Sequence, residues 1–138
     1  MAETIRLEIV TPEKYVVSEQ VQIVMAPGTL GEFGVLEGHT PFLTSLQIGK
    51  VRYRDTSGTE RAVFVSGGFA EALPDRVTIL AESAERRQEI DFDRAKAALN
   101  RAEERLAAVN KDNIDTARAQ AALNRAIARI KIAETRNL

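Results

Sequence analysis

Val77-Thr78-Ile79-Leu80-Ala81-Glu82-Ser83-Ala84-Glu85-Arg86-Arg87-Gln88-Glu89-Ile90-Asp91-Phe92-Asp93-Arg94-Ala95 is the stretch in which the chain changes its rules. Before it, apolar residues alternate at period two between turn residues; after it they recur at helical spacing. All eight glycines and all four prolines lie at or before Pro74, and Phe92 is the one aromatic residue beyond that point. Glycine and proline break helices, so their absence marks an uninterrupted helical half. The change places a boundary at Ser83–Glu89 and divides the 138 residues into 1–84 and 85–138.

Upstream, Ile5, Leu7 and Ile9 point one way and Arg6 and Glu8 the other, until Thr11-Pro12-Glu13 turns the chain. Val21, Ile23 and Met25 repeat the pattern ahead of Pro27-Gly28. Val51 and Tyr53 alternate with Arg52 and Arg54, and Asp55-Thr56-Ser57-Gly58 supplies a further turn. Ala62-Val63-Phe64-Val65 and Val77-Thr78-Ile79-Leu80 complete the strands. Many short strands at regular spacing predict an antiparallel β-sandwich.

Downstream, Phe92, Ala95, Leu99, Ala102, Leu106 and Val109 form a heptad-like seam that calls for a partner helix. Asn110-Lys111-Asp112-Asn113 interrupts it, with Asp112 suited to cap a second helix and Asp115 three residues on. The second helix is expected to bury Leu123, Ile127 and Ile130 among many alanines. The predicted class is therefore α+β: an N-terminal antiparallel β-sandwich, then a C-terminal antiparallel two-helix hairpin. Alanine buries little surface, so the hairpin should be stable yet easily displaced.

Inventory weighs against catalysis. The chain has one histidine, His39, and no cysteine, which removes disulfides, thiolate metal sites and a thiol nucleophile, and fits a reducing compartment. Ser66-Gly67-Gly68 lacks the leading glycine of a nucleophile elbow, and no Walker lysine or dinucleotide fingerprint is present. No clustered ligands for a metal stand out. The N-terminus lacks a signal-peptide core and no apolar run reaches the ~18 residues of a span, so the chain is read as soluble.

Charge is unevenly placed. Residues 1–84 hold 11 acidic and 7 basic side chains; residues 85–138 hold 9 and 12. A near-neutral whole with a basic tail speaks against general nucleic-acid binding and for an acidic partner. Arg118, Arg125, Arg129 and Arg136 fall within about 40° of one another on a helix face. Arg94, Arg101 and Arg105 repeat the seven–four spacing. The plain alternative is a solvated helix face opposite an apolar seam.

The run Gly31-Glu32-Phe33-Gly34, then Gly38-His39-Thr40-Pro41-Phe42-Leu43-Thr44, resembles the signature of ATP synthase epsilon subunits. Val65-Ser66-Gly67-Gly68-Phe69-Ala70-Glu71 is similar to a second block of that family, and Glu8-Ile9-Val10-Thr11-Pro12-Glu13 to its first strand and turn. The resemblance implies a non-catalytic rotor subunit of a proton-translocating F-type ATP synthase. Its expected partners are the gamma subunit, the loops of the membrane c-ring, and the beta and alpha subunits in an inhibitory state. The expected place is the cytoplasmic face of the bacterial plasma membrane, reached through the complex.

The resemblance also distributes roles. Glu32 and His39 map onto positions facing the c-ring, where the plain reading is two solvated loop residues. Arg118, Arg125 and Arg129 map onto contacts with an acidic loop of the beta subunit. Ile90-Asp91-Phe92-Asp93-Arg94-Ala95 fits a pattern associated with ATP binding in some members, which nominates Asp91, Arg94, Arg101, Arg125 and Arg129. Asp91 serves equally as a helix N-cap without a ligand. No cofactor is required; ATP enters only as a regulatory ligand. Two other readings stay open: a free-standing β-sandwich adapter with a basic hairpin, and a stand-alone nucleotide sensor.

Overall fold

The computed structural model describes residues 3–108 and 116–135. Seven strands come first: β1 (Ile5–Val10), β2 (Tyr15–Gly28), β3 (Gly31–Val35), β4 (Phe42–Asp55), β5 (Glu60–Leu73), β6 (Arg76–Leu80) and β7 (Ala84–Arg86). One turn of 3-10 helix, Arg87–Glu89, leads to α1 (Phe92–Ala107) and then α2 (Thr116–Glu134). Strands followed by a helical pair are what the change of periodicity predicts. Val109, Asp112, Asp115 and Arg136 lie outside the described residues.

The strands are hydrogen-bonded in the order β1-β6-β5-β4-β2-β3, with β7 on β5, and β1 also pairs with β2. That last pairing closes β1, β6, β5, β4 and β2 into a ring, so the sandwich is a flattened barrel. Closure leaves those five strands without a free edge. All pairings are antiparallel except β1 with β6, a departure from the purely antiparallel expectation. β1 can be parallel to β6 because the long meander β2–β5 separates them in sequence.

β2, β4 and β5 each run 14 residues and serve both layers by bending. Pro27-Gly28, read as a turn, instead ends β2, and Gly28 faces both Gly31 and Leu46. Alternation sets the core: Ile5, Leu7 and Ile9 are fully buried while Arg6, Glu8 and Val10 are half-exposed. Val24, Val35, Val51, Tyr53, Val65 and Ile79 join them in one cluster. At the β4–β5 turn the Asp55 carboxylate accepts from Ser57 N, Ser57 Oγ, Thr59 N and Arg61 Nε at 2.6–3.2 Å. These donors, the Ser57 hydroxyl foremost, hold its pKa down at about 2.

A second, smaller cluster lies outside the barrel. Ala62 and Phe64 of β5 are buried together with Ile132 of α2, and Ile48, Ile90 and Ala128 pack around them. Here the second helix departs from expectation. Leu123, Ile127 and Ile130 are only half-buried; Ala119, Ala126 and Ile132 are the buried residues. The reason is that α2 packs against α1 and also against β4 and β5, so its covered surface is split between two neighbours. No helix among the described residues is long and apolar enough to cross a membrane.

Candidate functional site

The junction between barrel and hairpin concentrates the charged contacts. Two adjacent arginines reach in opposite directions. Arg86 turns into the barrel: Nε donates to Val16 O at 3.0 Å, Nη1 to Tyr53 Oη at 3.1 Å, and Nη2 lies 3.6 Å from Glu19 Oε2. Burial raises the Tyr53 hydroxyl pKa, opposed by the Arg86 charge beside it. Arg87 turns to the hairpin, where Nη2 donates to Ala133 O at 3.3 Å, in the last turn of α2. A cation at a helix C-terminus meets unpaired carbonyls and the negative end of the helix dipole.

Glu89 closes the 3-10 turn. Its Oε1 accepts from Arg86 N at 2.9 Å and its Oε2 from Lys14 Nζ at 3.1 Å. The backbone N–H foremost, then Lys14, hold this carboxyl below its ordinary pKa. Residues 86–89 are thereby fixed to the barrel, and the connection to α1 begins after them. Asp91 then caps α1, its Oδ1 accepting from Arg94 N at 3.0 Å.

Above this junction Arg129 of α2 lies on the barrel. Its Nε is 2.6 Å from Glu85 Oε1, and its guanidinium carbon is 4.3 Å from the centroid of the Phe64 ring. Glu85 and Phe64 are register partners on β7 and β5, so one outward-facing pair of positions supplies both contacts. A cleft of about 630 Å³ opens beside them, lined by Asp91, Arg94 and Arg101 of the α1 segment, Arg129 of α2, and the carboxylates Glu13, Glu85 and Glu89.

Of the residues nominated for ATP, four therefore meet at one cleft: Asp91, Arg94, Arg101 and Arg129. Arg125 is half-buried on α2 and lies outside that lining. Arg129 already has a carboxylate and a ring as neighbours, and Asp91 is engaged as a cap. The cleft is mixed in charge, with convergent guanidinium groups on one side and acids on the other. Arg118 is exposed in the first turn of α2. Sequence reasoning missed Glu85, Arg87, Phe64 and Ile132. The unbroken apolar run Ala62-Val63-Phe64-Val65 was the available signal, because a strand apolar on both faces is covered on both.

On β3, Glu32 pairs with Arg52 of β4 at 3.1 Å across β2. Leu30 is 99% exposed and Leu43 70%, beside Glu32. His39 packs edge-on against Phe42 at 4.8 Å, and Phe42 against Phe33 at 5.1 Å. Its Nδ1 is buried without a hydrogen-bond partner among the described residues. Glu32 and His39 thus flank the same Phe33–Phe42 pair, Glu32 at the surface and His39 turned inward.

Two family models match the chain: the ATP synthase Delta/Epsilon chain beta-sandwich domain over residues 4–87, and the Delta/Epsilon chain long alpha-helix domain over residues 88–134. An ATP synthase epsilon chain of Syntrophobacter fumaroxidans is 61% identical over 134 residues, 97% of this chain and 98% of that one. One from Desulfosudis oleivorans is 66% identical over 106 residues, 77% of this chain and 80% of that one. Among solved structures, a chain of the Euglena gracilis mitochondrial ATP synthase has a similar fold. It has a TM-score of 0.81 at 24% identity, covering 96% of this chain and 82% of that one. A chain of the Tetrahymena thermophila mitochondrial ATP synthase central stalk and c-ring gives 0.58 at 15% identity, covering 95% and 94%.

Proposed function

The chain belongs to the ATP synthase Delta/Epsilon family, and on that premise we propose that it is a non-catalytic rotor subunit of the central stalk. In this reading the barrel joins the gamma subunit to the c-ring, with Glu32, His39 and the exposed Leu30 and Leu43 at the ring-facing end. The hairpin restrains ATP hydrolysis when it leaves the barrel and presents Arg118, Arg125 and Arg129 to an acidic loop of the beta subunits. The chain would sit on the cytoplasmic face of a bacterial plasma membrane, held there by the complex.

The observation that carries this reading is the economy of the dock. The hairpin rests on the barrel through one small apolar cluster separate from the main core, plus a few polar contacts. An element so held can leave without unfolding what it leaves behind. The test is ATP hydrolysis by an epsilon-depleted alpha–beta–gamma assembly. Full-length chain should inhibit, and less so at moderate than at low salt, because exposed charges are screened. A chain ending at Glu89 should bind equally without inhibiting. If neither form binds, the stalk assignment is wrong; if both inhibit, the hairpin is not the brake.

The cleft supports a second, subordinate reading: ATP as a ligand that favours the docked hairpin. Planar guanidinium groups on α1 and α2 suit phosphate oxygens. ATP would stabilise docking only by binding that form better than the released one. Titration should show saturable binding that Arg101→Ala weakens about tenfold, the loss of a charge-assisted bond. Absence of binding at millimolar ATP would remove this reading and leave the stalk role untouched.

A further inference from the structure

Three unlike contacts converge within the last turns of α2. Ile132 is buried against Phe64 and Ala62, Ala133 O accepts from Arg87, and Arg129 lies between Glu85 and the Phe64 ring. Only the last of these joins a charge of the hairpin to a charge of the barrel. Glu85 and Phe64 face each other in register, so carboxylate and ring stand on neighbouring strands at fixed spacing. The barrel offers a preformed seat that fits one side chain shape: a flat cation with in-plane donors.

We propose that Glu85 is the positioning residue of the hairpin, a resident carboxylate that holds the Arg129 guanidinium over the Phe64 ring. Docking and the presentation of Arg129 to an outside carboxylate then exclude each other. Glu85 occupies on Arg129 the place that an acidic partner would take. Its side chain is 32% exposed and that of Arg129 27%, so the pair is partly desolvated and stronger than a fully exposed one. Stacking on Phe64 adds a cation–π contribution that a carboxylate alone does not give. Lysine would keep the charge and lose the planar fit. The consequence for an acidic partner rests on the stalk reading; the seat itself does not.

Hydrogen exchange of the full-length chain, without nucleotide or partner, reads the seat directly. Glu85→Gln should speed exchange of the amides at 128–133 about five- to twentyfold at low salt. Exchange in β1 and β6 should stay unchanged, which a general loss of stability would not allow. Arg129→Lys should give an intermediate rate. Combining Glu85→Gln with Arg129→Gln should add little to Arg129→Gln alone, since both remove one contact. The inference is overturned if Glu85→Gln exchanges like the parent chain, or if the effects of Glu85→Gln and Arg129→Gln are fully additive. Neither outcome depends on whether the chain binds gamma.

Discussion

Gly68→Ala is expected to lower the stability of the barrel by about 3–5 kcal/mol, from backbone strain and overpacking together. β5 changes partners around this residue, pairing with β7 over Val63–Val65 and with β6 over Phe69–Leu73. The strand turns the corner with Gly67 at φ +101° and Gly68 at φ +128°, conformations that side chains with a Cβ rarely adopt. A methyl at Gly68 would overlap the Leu80 carbonyl oxygen and stand 3.0 Å from Ala81 Cα. Both obstacles are backbone, and Ala81 N is tied to Val10 O at 3.0 Å, so they cannot rotate aside. Set against a typical domain stability of roughly 5–15 kcal/mol, the loss should be plain in the urea midpoint. Gly58→Ala is the control: φ is +86° but nothing lies within 4 Å of the added methyl, so only about 1 kcal/mol is at stake. Equal midpoints for the two variants would show that the corner tolerates a methyl and that the clash is relieved.

Ile132→Ala should free the hairpin and leave the barrel folded. Ile132 is 1% exposed and the largest α2 side chain in the outer cluster, and truncating such a residue costs about 2–5 kcal/mol. None of that cluster's buried residues belongs to the barrel's inner core. The loss therefore falls on docking. Trypsin should cut at Arg125, Arg129 or Lys131 roughly a hundredfold faster, the ratio that about 3 kcal/mol implies. The thermal midpoint of the strands should move little. Unchanged cleavage would mean that the hairpin is held elsewhere, and a matching fall in the barrel's midpoint would mean that the two clusters are one cooperative unit.

How far the sequence carried depended on whether one side chain had one neighbour or two. Ile5-Arg6-Leu7-Glu8-Ile9 is covered on one face only, so its alternation translated directly into strand and core. The helical half was equally legible from its lack of glycine and proline. α2 was read as though it had a single covered face, which nominated Leu123, Ile127 and Ile130. Its actual surface is shared between α1 and the barrel, and the residue that matters most, Ile132, lies two positions beyond that stripe. Closure of the barrel was hidden for a different reason. It depends on β1 meeting β6 across some 70 residues of chain, and no local pattern encodes so distant a pairing. For the site, the family resemblance nominated Asp91, Arg94, Arg101 and Arg129, which meet at the cleft, but it could not show that Glu85 and Phe64 would face each other beneath Arg129.

The buried residues of α1 are Ala95 and Ala102, and those of α2 include Ala119 and Ala126. Leu99, Leu106, Leu123 and Ile127 beside them are half-buried, so two such helices on parting would newly offer to water alanine methyl groups flanked by larger side chains already in part exposed. Water wets that surface at small cost, and the parted form has little reason to clump with its neighbours. Alanine is also the strongest helix former, which favours each half staying wound when the two part. A leucine seam would have closed more firmly, but would have made every opening an aggregation hazard. On the proposed reading, the alanine-rich seam trades grip for reversibility: each opening of the hairpin would expose less new apolar surface than a seam of fully buried leucines.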